Sequence, residues 1–135
     1  MKLALLCSVL LAAVAAGTAH GATPRNCGTL SIGPGSLHRG DSSSPSCLLQ
    51  AYRHCRPATF TLSSFGVDTI AKDVFRVGRS GVICQVSVLT SFEVVPQHPH
   101  LSHASCRRVQ RLAGDIVATG CTGSLPPTIS LTGRH

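Results

Sequence analysis

The chain has 135 residues, a formal net charge of +7, four Phe, one Tyr and no Trp. This length fits one domain, and the scarcity of aromatic side chains predicts a modest core of Val, Leu, Ile and Phe that cross-links would help to stabilise. The arginines are scattered along the sequence and do not alternate with aromatic residues. This distribution argues against nucleic-acid binding and favours a role of the positive charge in solubility.

The first 21 residues have the composition of a secretory signal peptide. Lys2 gives the positive start, a nearly continuous apolar run follows over 3–16, and small residues lead up to Ala22. This run is too short to span a membrane, and no later stretch reaches eighteen consecutive apolar residues. We therefore expect cleavage between Gly17 and Ala22, with Cys7 lost. The mature chain should be secreted, to the extracellular space or cell envelope, without a membrane span.

Six cysteines remain after the signal peptide, which in an exported chain indicates a framework of up to three disulfides. They are Cys27, Cys47, Cys55, Cys84, Cys106 and Cys121. Six cysteines allow fifteen pairings, but one pairing follows from a predicted hairpin. With Ala113 and Gly114 at the centre of its turn, Cys106 lies directly opposite Cys121, close enough for a disulfide. A turn centred one residue later would make them diagonal neighbours, which small adjustments could still join.

Two segments flank the predicted domain, which spans residues 45–123. Residues 22–44 are rich in Gly, Ser and Pro, which predicts a leader with at most a short strand at 29–32. Residues 124–135 contain a Pro-Pro pair and end the chain, which predicts a mobile tail. The chain is therefore expected to comprise a signal peptide over 1–21, a leader, one domain and a tail.

A helix over 45–55 opens the predicted domain. Ser44 can serve as its N-cap and Pro45 fits its first turn, while Pro57 ends it because the residue before a proline avoids helical geometry. One apolar stripe carries a cysteine near each end, too far apart to bond to each other, so each must bridge to another element. The stripe consists of Cys47, Leu48, Ala51, Tyr52 and Cys55.

Five strand-like segments follow the helix. They span residues 59–65, 70–77, 82–95, 105–112 and 116–121. Four-residue turns between the first three would align Phe60, Phe75 and Cys84 beneath the helix, which predicts a bridge from the helix to Cys84. The expected fold class is α+β, with one N-terminal helix packed on a four- to five-stranded antiparallel meander and stapled by disulfides.

Four motifs in this region resemble a pattern found in a family of small exported bacterial proteins. They are Cys47-x-x-x-Ala51-Tyr52-x-x-Cys55-x-Pro57-Ala58, Gly66-Val67-Asp68-Thr69, Phe75-x-Val77 and Cys84-x-Val86. The resemblance covers about residues 47–121 and implies membership of a family without an assigned activity, so it implies no catalytic residues. The order of helix and meander is also similar to that of cystatin-like and NTF2-like folds, an analogy of architecture alone.

His98, His100 and His103, with Cys106 beyond them, form the most suggestive cluster of metal-ligating residue types. Neutral imidazoles this close together could share Zn²⁺ or Cu²⁺. The spacing falls in the Pro-containing segment 96–105, which predicts a loop rather than a helix that would position the ligands. Ordering such a loop opposes binding by about 1–2 kcal/mol per residue. We therefore expect a solvated loop, with no metal and no cofactor.

Asp68 with His54 or Tyr52 would supply a pair for proton transfer. Asp68, however, falls at a turn position that favours aspartate for its own backbone hydrogen bonds, and His54 falls on the polar side of the helix. Tyr52 belongs to the apolar stripe, which predicts a core residue whose hydroxyl reaches the rim. Lys72 is the one mature lysine, and the cysteine–lysine signature of small secreted ribonucleases is missing. No catalytic residue is therefore assigned.

These patterns favour a secreted, non-enzymatic binding or structural module. Its partner is expected to be an extracellular protein or an anionic envelope polymer. The alternative is a small secreted hydrolase or a metal-binding protein that uses His98, His100 and His103. An enzyme needs polar side chains that converge in one pocket, whereas a binding module needs only a contiguous exposed surface.

Overall fold

The computed structural model describes residues 23–34, 38–40 and 43–133, so the predicted signal peptide lies outside it. These residues form nine strands and one helix. The helix, α1, spans Ser44–Arg53. The strands are β1 Arg25–Ile32, β2 His38–Gly40, β3 Ala58–Phe65, β4 Thr69–Ser80, β5 Ile83–Val94, β6 His100–Cys106, β7 Arg108–Leu112, β8 Asp115–Thr119 and β9 Thr128–Ser130.

Six strands form one sheet in the order β2-β1-β3-β4-β5-β6, and β7-β8-β9 form a second sheet. All neighbouring strands are antiparallel except β1 and β3, which run parallel. Disulfides join Cys27 to Cys47 and Cys106 to Cys121. The predicted combination of sheet, one helix and disulfides is therefore confirmed for the described residues. The wholly antiparallel meander with an N-terminal helix is wrong, because two strands precede the helix and one of them pairs in parallel.

Strand β1 makes the parallel pair and lies in the predicted leader. A parallel partner has to be reached by a crossover, and the chain passes through β2 and α1 before it returns as β3. Cys27 and Leu30 of β1 are buried, and Cys27 is bonded to Cys47 in the first turn of α1. Gly28, with φ +88°, lies so close to Ser44 that a Cβ would be 2.9 Å from its hydroxyl oxygen. The strand is thus held directly against the start of the helix.

Helix α1 begins at Ser44, one residue earlier than predicted. The predicted apolar stripe is confirmed at Leu48 and Ala51, which are both buried. The helix ends before Cys55, whose φ of 45° lies in the left-handed region. The backbone N–H of Arg56 donates to the carbonyl oxygen of Ala51 at 2.9 Å, which satisfies one of the last helical carbonyls. After this ending the chain continues into β3, at the end of the sheet where that strand begins.

The core lies between the inner face of the six-stranded sheet and a cover formed by α1 and the smaller sheet. Phe60 of β3 is directly opposite Phe75 of β4, as predicted, and the ring centroids are 5.9 Å apart. Both rings are 0% exposed. Leu48 from α1 and Leu131 after β9 belong to the same buried cluster. One continuous core therefore positions the helix over the sheet.

Cys84 does not extend the row of Phe60 and Phe75, contrary to the prediction. Strands β4 and β5 meet in a two-residue turn, Gly81-Val82, rather than in a four-residue turn. The register consequently places Cys84 opposite Arg79, near the end of the sheet. Phe75 is opposite Val88 instead of Cys84, a shift of four residues. Because this number is even, Cys84 still lies on the same face of the sheet as Phe75, as predicted.

Two segments predicted as a loop and a tail are strands instead. The histidine-rich segment contains β6, which pairs with β5. The tail contains β9, which pairs with β8, and also the fully buried Leu131. Both strands lie at the edge of their sheet, where polar side chains are common and apolar alternation is weak. The described fold therefore extends from β1 to β9, beyond the predicted domain 45–123.

Asp73 on β4 is partly buried and accepts a 2.6 Å hydrogen bond from the Thr90 hydroxyl. Burial raises the pKa of Asp73 above its ordinary value of 3.8, and the hydrogen bond from Thr90 opposes that rise. The folded state thus binds a proton more tightly than the unfolded state. Its stability consequently falls as the pH rises from 3.8 through the pKa of the folded state.

Replacing this carboxylate, as in Asp73→Asn, is therefore expected to stabilise the protein at pH 7. The gain should disappear at pH 3, where the carboxyl is protonated in both states. Urea unfolding at the two pH values measures the difference. Thr90→Val is the companion variant, expected to lower stability at pH 7 because it removes the opposing hydrogen bond. If Asp73→Asn raised the free energy of unfolding by the same amount at both pH values, the explanation would be contradicted.

Candidate functional site

One end of the larger sheet carries a concentration of basic side chains. At this end β1, β3 and β5 begin, and β4 and β6 end. The basic end, as it is termed below, is defined by the exposed side chains of Arg25, His54, Arg56, Arg76, Arg79, Arg107 and Arg108. They come from four separate stretches of the chain, so the folded sheet is what brings them together.

The helix cleft, a cavity of about 400 Å³, opens where α1 passes into β3. Arg25, His54 and Arg56 supply basic groups to its lining, and Gln50 supplies an amide. The backbone N–H of Arg25 donates to the Pro57 carbonyl at 2.9 Å, which joins the start of β1 to the segment before β3. The cleft therefore rests on paired backbone, although its basic side chains are exposed.

Two further cavities lie at the same end of the sheet. The strand cleft, about 220 Å³, has a lining that includes Arg76, Arg79, Gln85 and Ser87. The thiol cleft, about 480 Å³, has a lining that includes Cys84, Gln85, Cys106, Arg107 and Arg108. Because Gln85 lines both, these two cavities adjoin. No acidic residue of the described chain lines any of the three clefts.

The acidic residues that the structure describes lie elsewhere. Asp68 and Glu93 are at the opposite end of the sheet, beside the turn from β3 to β4 and the end of β5. Asp73 is bonded to Thr90 in the middle of the sheet, as described above. Asp115, at the β7–β8 turn, accepts hydrogen bonds from the backbone of Ile116 and the hydroxyl of Thr132. Charge is thus segregated, which gives the basic end a positive potential.

Part of this positive charge has a structural explanation. His54 and Arg56 follow the C-terminus of α1, where the helix dipole favours cations. Arg76, Arg79 and Arg107 lie on or beside strands, which have no comparable dipole. The strand arginines have no such explanation, and they line the strand cleft and the thiol cleft.

Two cysteines at the basic end are unpaired in the structure, Cys55 and Cys84. Burial raises the pKa of Cys84 to about 11, the nearby Cys55 thiol adds to the rise, and Arg79 opposes it. Cys84 is consequently a protonated thiol at neutral pH rather than a nucleophilic thiolate. The predicted disulfide from Cys106 to Cys121 is present, whereas the predicted bridge from the helix to Cys84 stays a prediction.

Tyr52 ties the helix to the smaller sheet at this end. Its ring packs against the core, and its hydroxyl donates a 2.7 Å hydrogen bond to the carbonyl of Arg107. Burial raises the pKa of Tyr52, with the nearby Cys84 as the next cause, while Arg108 lowers it. Tyr52 thus has the arrangement that was predicted for it, with its ring against the core and its hydroxyl at the rim.

The candidate proton-transfer pair is not brought together. Asp68 lies beyond the far end of β3, and His54 lies just before its start. Eight strand residues at about 3.3 Å each separate them by roughly 26 Å. Lys72 lies within β4, opposite Ser63 of β3 and Ser91 of β5, on the outer face of the sheet. The described structure therefore offers no acid–base pair from these residues.

Two of the three candidate metal ligands, His100 and His103, are separated by the alternation of β6. His100 pairs with Phe92 and His103 pairs with Leu89, so the alternation of strand β6 puts the two imidazoles on opposite faces. Within the described residues no group of three His, Cys, Asp or Glu side chains is arranged to hold a metal. The described register therefore does not bring His100 and His103 together on one face of β6.

Comparison with known proteins adds no relative. No protein-family model, no curated protein and no solved structure matches the chain. In the part of the chain that the structure describes, no helix is long and apolar enough to cross a membrane.

The basic end is also the feature that sequence reasoning missed. Its arginines are dispersed along the chain, and strand pairing alone makes them neighbours. A signal was present, because Arg25, Arg79 and Arg107 each lie within two residues of a strand boundary at the same end of the sheet. Only the order of the strands shows that these arginines share one end of the sheet, and the positions of β1 and β6 in that order were not predicted.

Proposed function

We propose that the protein is a secreted, disulfide-stapled binding module whose basic end binds an anionic polymer of the cell envelope. The observation that carries this proposal is the row of arginines around three clefts whose described lining contains no carboxylate. The two disulfides support export, because such bonds persist in oxidising compartments outside the cytosol. Membership of the family of small exported bacterial proteins is part of the same proposal.

Arginine suits this role because its planar guanidinium can donate two parallel hydrogen bonds to one carboxylate or phosphate. A polymer presents such groups at intervals, and the three clefts offer several binding positions at one end of the sheet. Binding would release the counterions of the polymer, so the affinity should fall steeply with salt. An extended row of exposed charges fits a polymer better than it fits a single small ligand, which a deeper and more apolar pocket would enclose.

Binding is favoured over hydrolysis by the surroundings of His54. This imidazole lines the helix cleft, where the other polar groups are Thr23, Gln50 and the guanidinium groups of Arg25 and Arg56. A histidine that acts as a general base is commonly oriented by a carboxylate, and none lines this cavity in the described chain. The cleft is thus equipped to attract an anion rather than to move a proton.

The proposal predicts that removing four charges will weaken binding of polyphosphate and of poly(glutamate). The variant carries Arg76→Gln, Arg79→Gln, Arg107→Gln and Arg108→Gln. Since an exposed ion pair contributes about 0.5 kcal/mol or more, the affinity should fall at least about tenfold. The slope of log affinity against log salt should also flatten by roughly one for each lost contact. Calorimetric titration at two salt concentrations measures both effects.

A matched control keeps the same type of change but moves it away from the basic end. Lys72→Gln combined with Arg111→Gln removes two exposed charges outside the clefts and should reduce affinity by less than about threefold. Neutral dextran should not bind to any form. Comparing polyphosphate with poly(glutamate) tells phosphate from carboxylate recognition. If each removed charge lowered the affinity equally in the four-arginine variant and in the control, the site would not be localised at the basic end.

A further inference from the structure

We propose that Cys55 and Cys84 form an exchangeable dithiol–disulfide site whose oxidant is an anionic low-molecular-weight disulfide bound in the thiol cleft. Closing this disulfide would join the end of α1 to the start of β5. The two sulfur atoms lie near each other, and Cys84 lines the thiol cleft, so this exchange would not require a bound polymer.

The two cysteines meet at one carbonyl oxygen. The Tyr52 carbonyl accepts the backbone N–H of Cys55 at 3.0 Å and the S–H of Cys84 at 3.5 Å. The S–H of Cys55 donates to the Gly78 carbonyl at 3.8 Å, and the next residue, Arg79, is paired with Cys84. The Cys55 thiol is also close enough to raise the pKa of Cys84. Rotation of the side chains can therefore bring the sulfurs together.

Cys84 is reachable from solvent through the thiol cleft. The pairing of β5 with β6 ends at Val86 and Cys106, so β6 leaves Cys84 uncovered on that side. The cleft, at about 480 Å³, is within the size range of cavities that hold small molecules. Arg107 and Arg108 line it, and their guanidinium groups would attract the carboxylates of an anionic disulfide.

The pair differs from the two disulfides that are already closed. Each closed disulfide has one buried partner, Cys27 in one and Cys106 in the other. Cys55 and Cys84 are both partly exposed. Exposed disulfides are the ones that exchange readily with small thiols, so this pair is expected to open and close while the other two persist.

The exchange needs one oxidant molecule of the form RSSR. Because the pKa of Cys84 is raised to about 11, its thiolate is a minor species at neutral pH, so the first step is slow there and faster as the pH rises. In that step the Cys84 thiolate attacks one sulfur of RSSR, a mixed disulfide forms, and the first RS⁻ leaves. The Cys55 thiolate then attacks the Cys84 sulfur of the mixed disulfide and releases the second RS⁻. The two protons of the protein thiols end on the two RSH products. Two electrons pass from the protein to RSSR, and one new S–S bond replaces the old one.

The first test treats the mature protein, with Cys55 and Cys84 reduced, with oxidised glutathione. The wild type should lose both thiols without keeping an adduct, and peptide mapping should show Cys55 joined to Cys84. Cys55→Ser should keep a stable glutathione adduct on Cys84, because the second step is missing. A lasting adduct on the wild type, or a bond from Cys84 to Cys106, would overturn the proposal.

A second test keeps all cysteines and so does not depend on the folding of the serine variant. It compares oxidised glutathione, which is anionic, with cystamine, which is cationic. The double variant Arg107→Gln and Arg108→Gln should slow oxidation by glutathione by about threefold or more and should not slow oxidation by cystamine. Equal rates for the variant and the wild type with glutathione would rule out recognition of the oxidant by the cleft.

Discussion

Replacing Phe60 with alanine is expected to lower the free energy of unfolding by about 3–5 kcal/mol. The ring is 0% exposed, and it packs against Phe75, whose centroid is 5.9 Å away. Truncation removes the burial of the ring and also leaves a cavity beneath α1, because neighbouring side chains relax only in part. Domains of this size are commonly stable by about 5–15 kcal/mol, so the loss is a large share of the total.

Urea unfolding of the wild type and the variant measures this loss, provided that the slope of the transition is unchanged. Phe65→Ala is the matched control, since Phe65 lies on the same strand but is 44% exposed, and it should cost about 1 kcal/mol or less. Phe60→Leu keeps much of the apolar volume and should lose less than Phe60→Ala. Similar losses for Phe60→Ala and Phe65→Ala would mean that the core is not centred on this pair.

Local patterns were sufficient to predict the elements whose partners are close in sequence. The pairing of Phe60 with Phe75 follows from a short turn between two adjacent strands. The register of the β7–β8 hairpin follows from Ala113 and Gly114, and Gly114 has the positive φ that such a turn requires. In each case a strand and its neighbour are linked by a few residues, so turn chemistry and alternation decide the pairing.

Strand β1 shows what local patterns cannot supply. Its parallel partner is reached only after a crossover through α1, and its sequence around Gly28 has the composition of a loop. The strand forms because Cys27 and Leu30 are buried beneath the helix, a gain that exists only once the helix and β3 are in place. Tertiary context therefore overrides a weak local signal.

Turn length was the other source of error. Gly78 has an ordinary strand position opposite Gln85, although a glycine followed by Arg79 and Ser80 is typical of a turn. The turn lies instead at Gly81, with φ +62°, and at the almost fully exposed Val82. The longer strands that result carry Arg79 and Cys84 to the end of the sheet. Because the turn was predicted to be four residues long, neither the basic end nor the environment of the two thiols could be predicted from the sequence.

Removing the disulfide between Cys106 and Cys121 is the second change with a large expected effect. Its closed loop has a sequence separation of 15, for which the chain-entropy model gives a loss of about 3 kcal/mol. Alanine is the better replacement, because Cys106 is 2% exposed and a serine there would bury a hydroxyl. The variant Cys106→Ala with Cys121→Ala should unfold at a correspondingly lower urea concentration.

Backbone pairing around the disulfide provides a control for its contribution. The Arg107 N–H donates to the Thr119 carbonyl at 2.9 Å, and the Thr122 N–H donates to the Ser105 carbonyl at 2.9 Å. These bonds do not depend on the sulfurs and should survive in the alanine variant, where hydrogen exchange can follow them. Reducing the variant should then cost less stability than reducing the wild type. A loss below about 1 kcal/mol, with these amides still protected, would show that packing of Val109 and Ile116 rather than the cross-link joins the smaller sheet to the larger one.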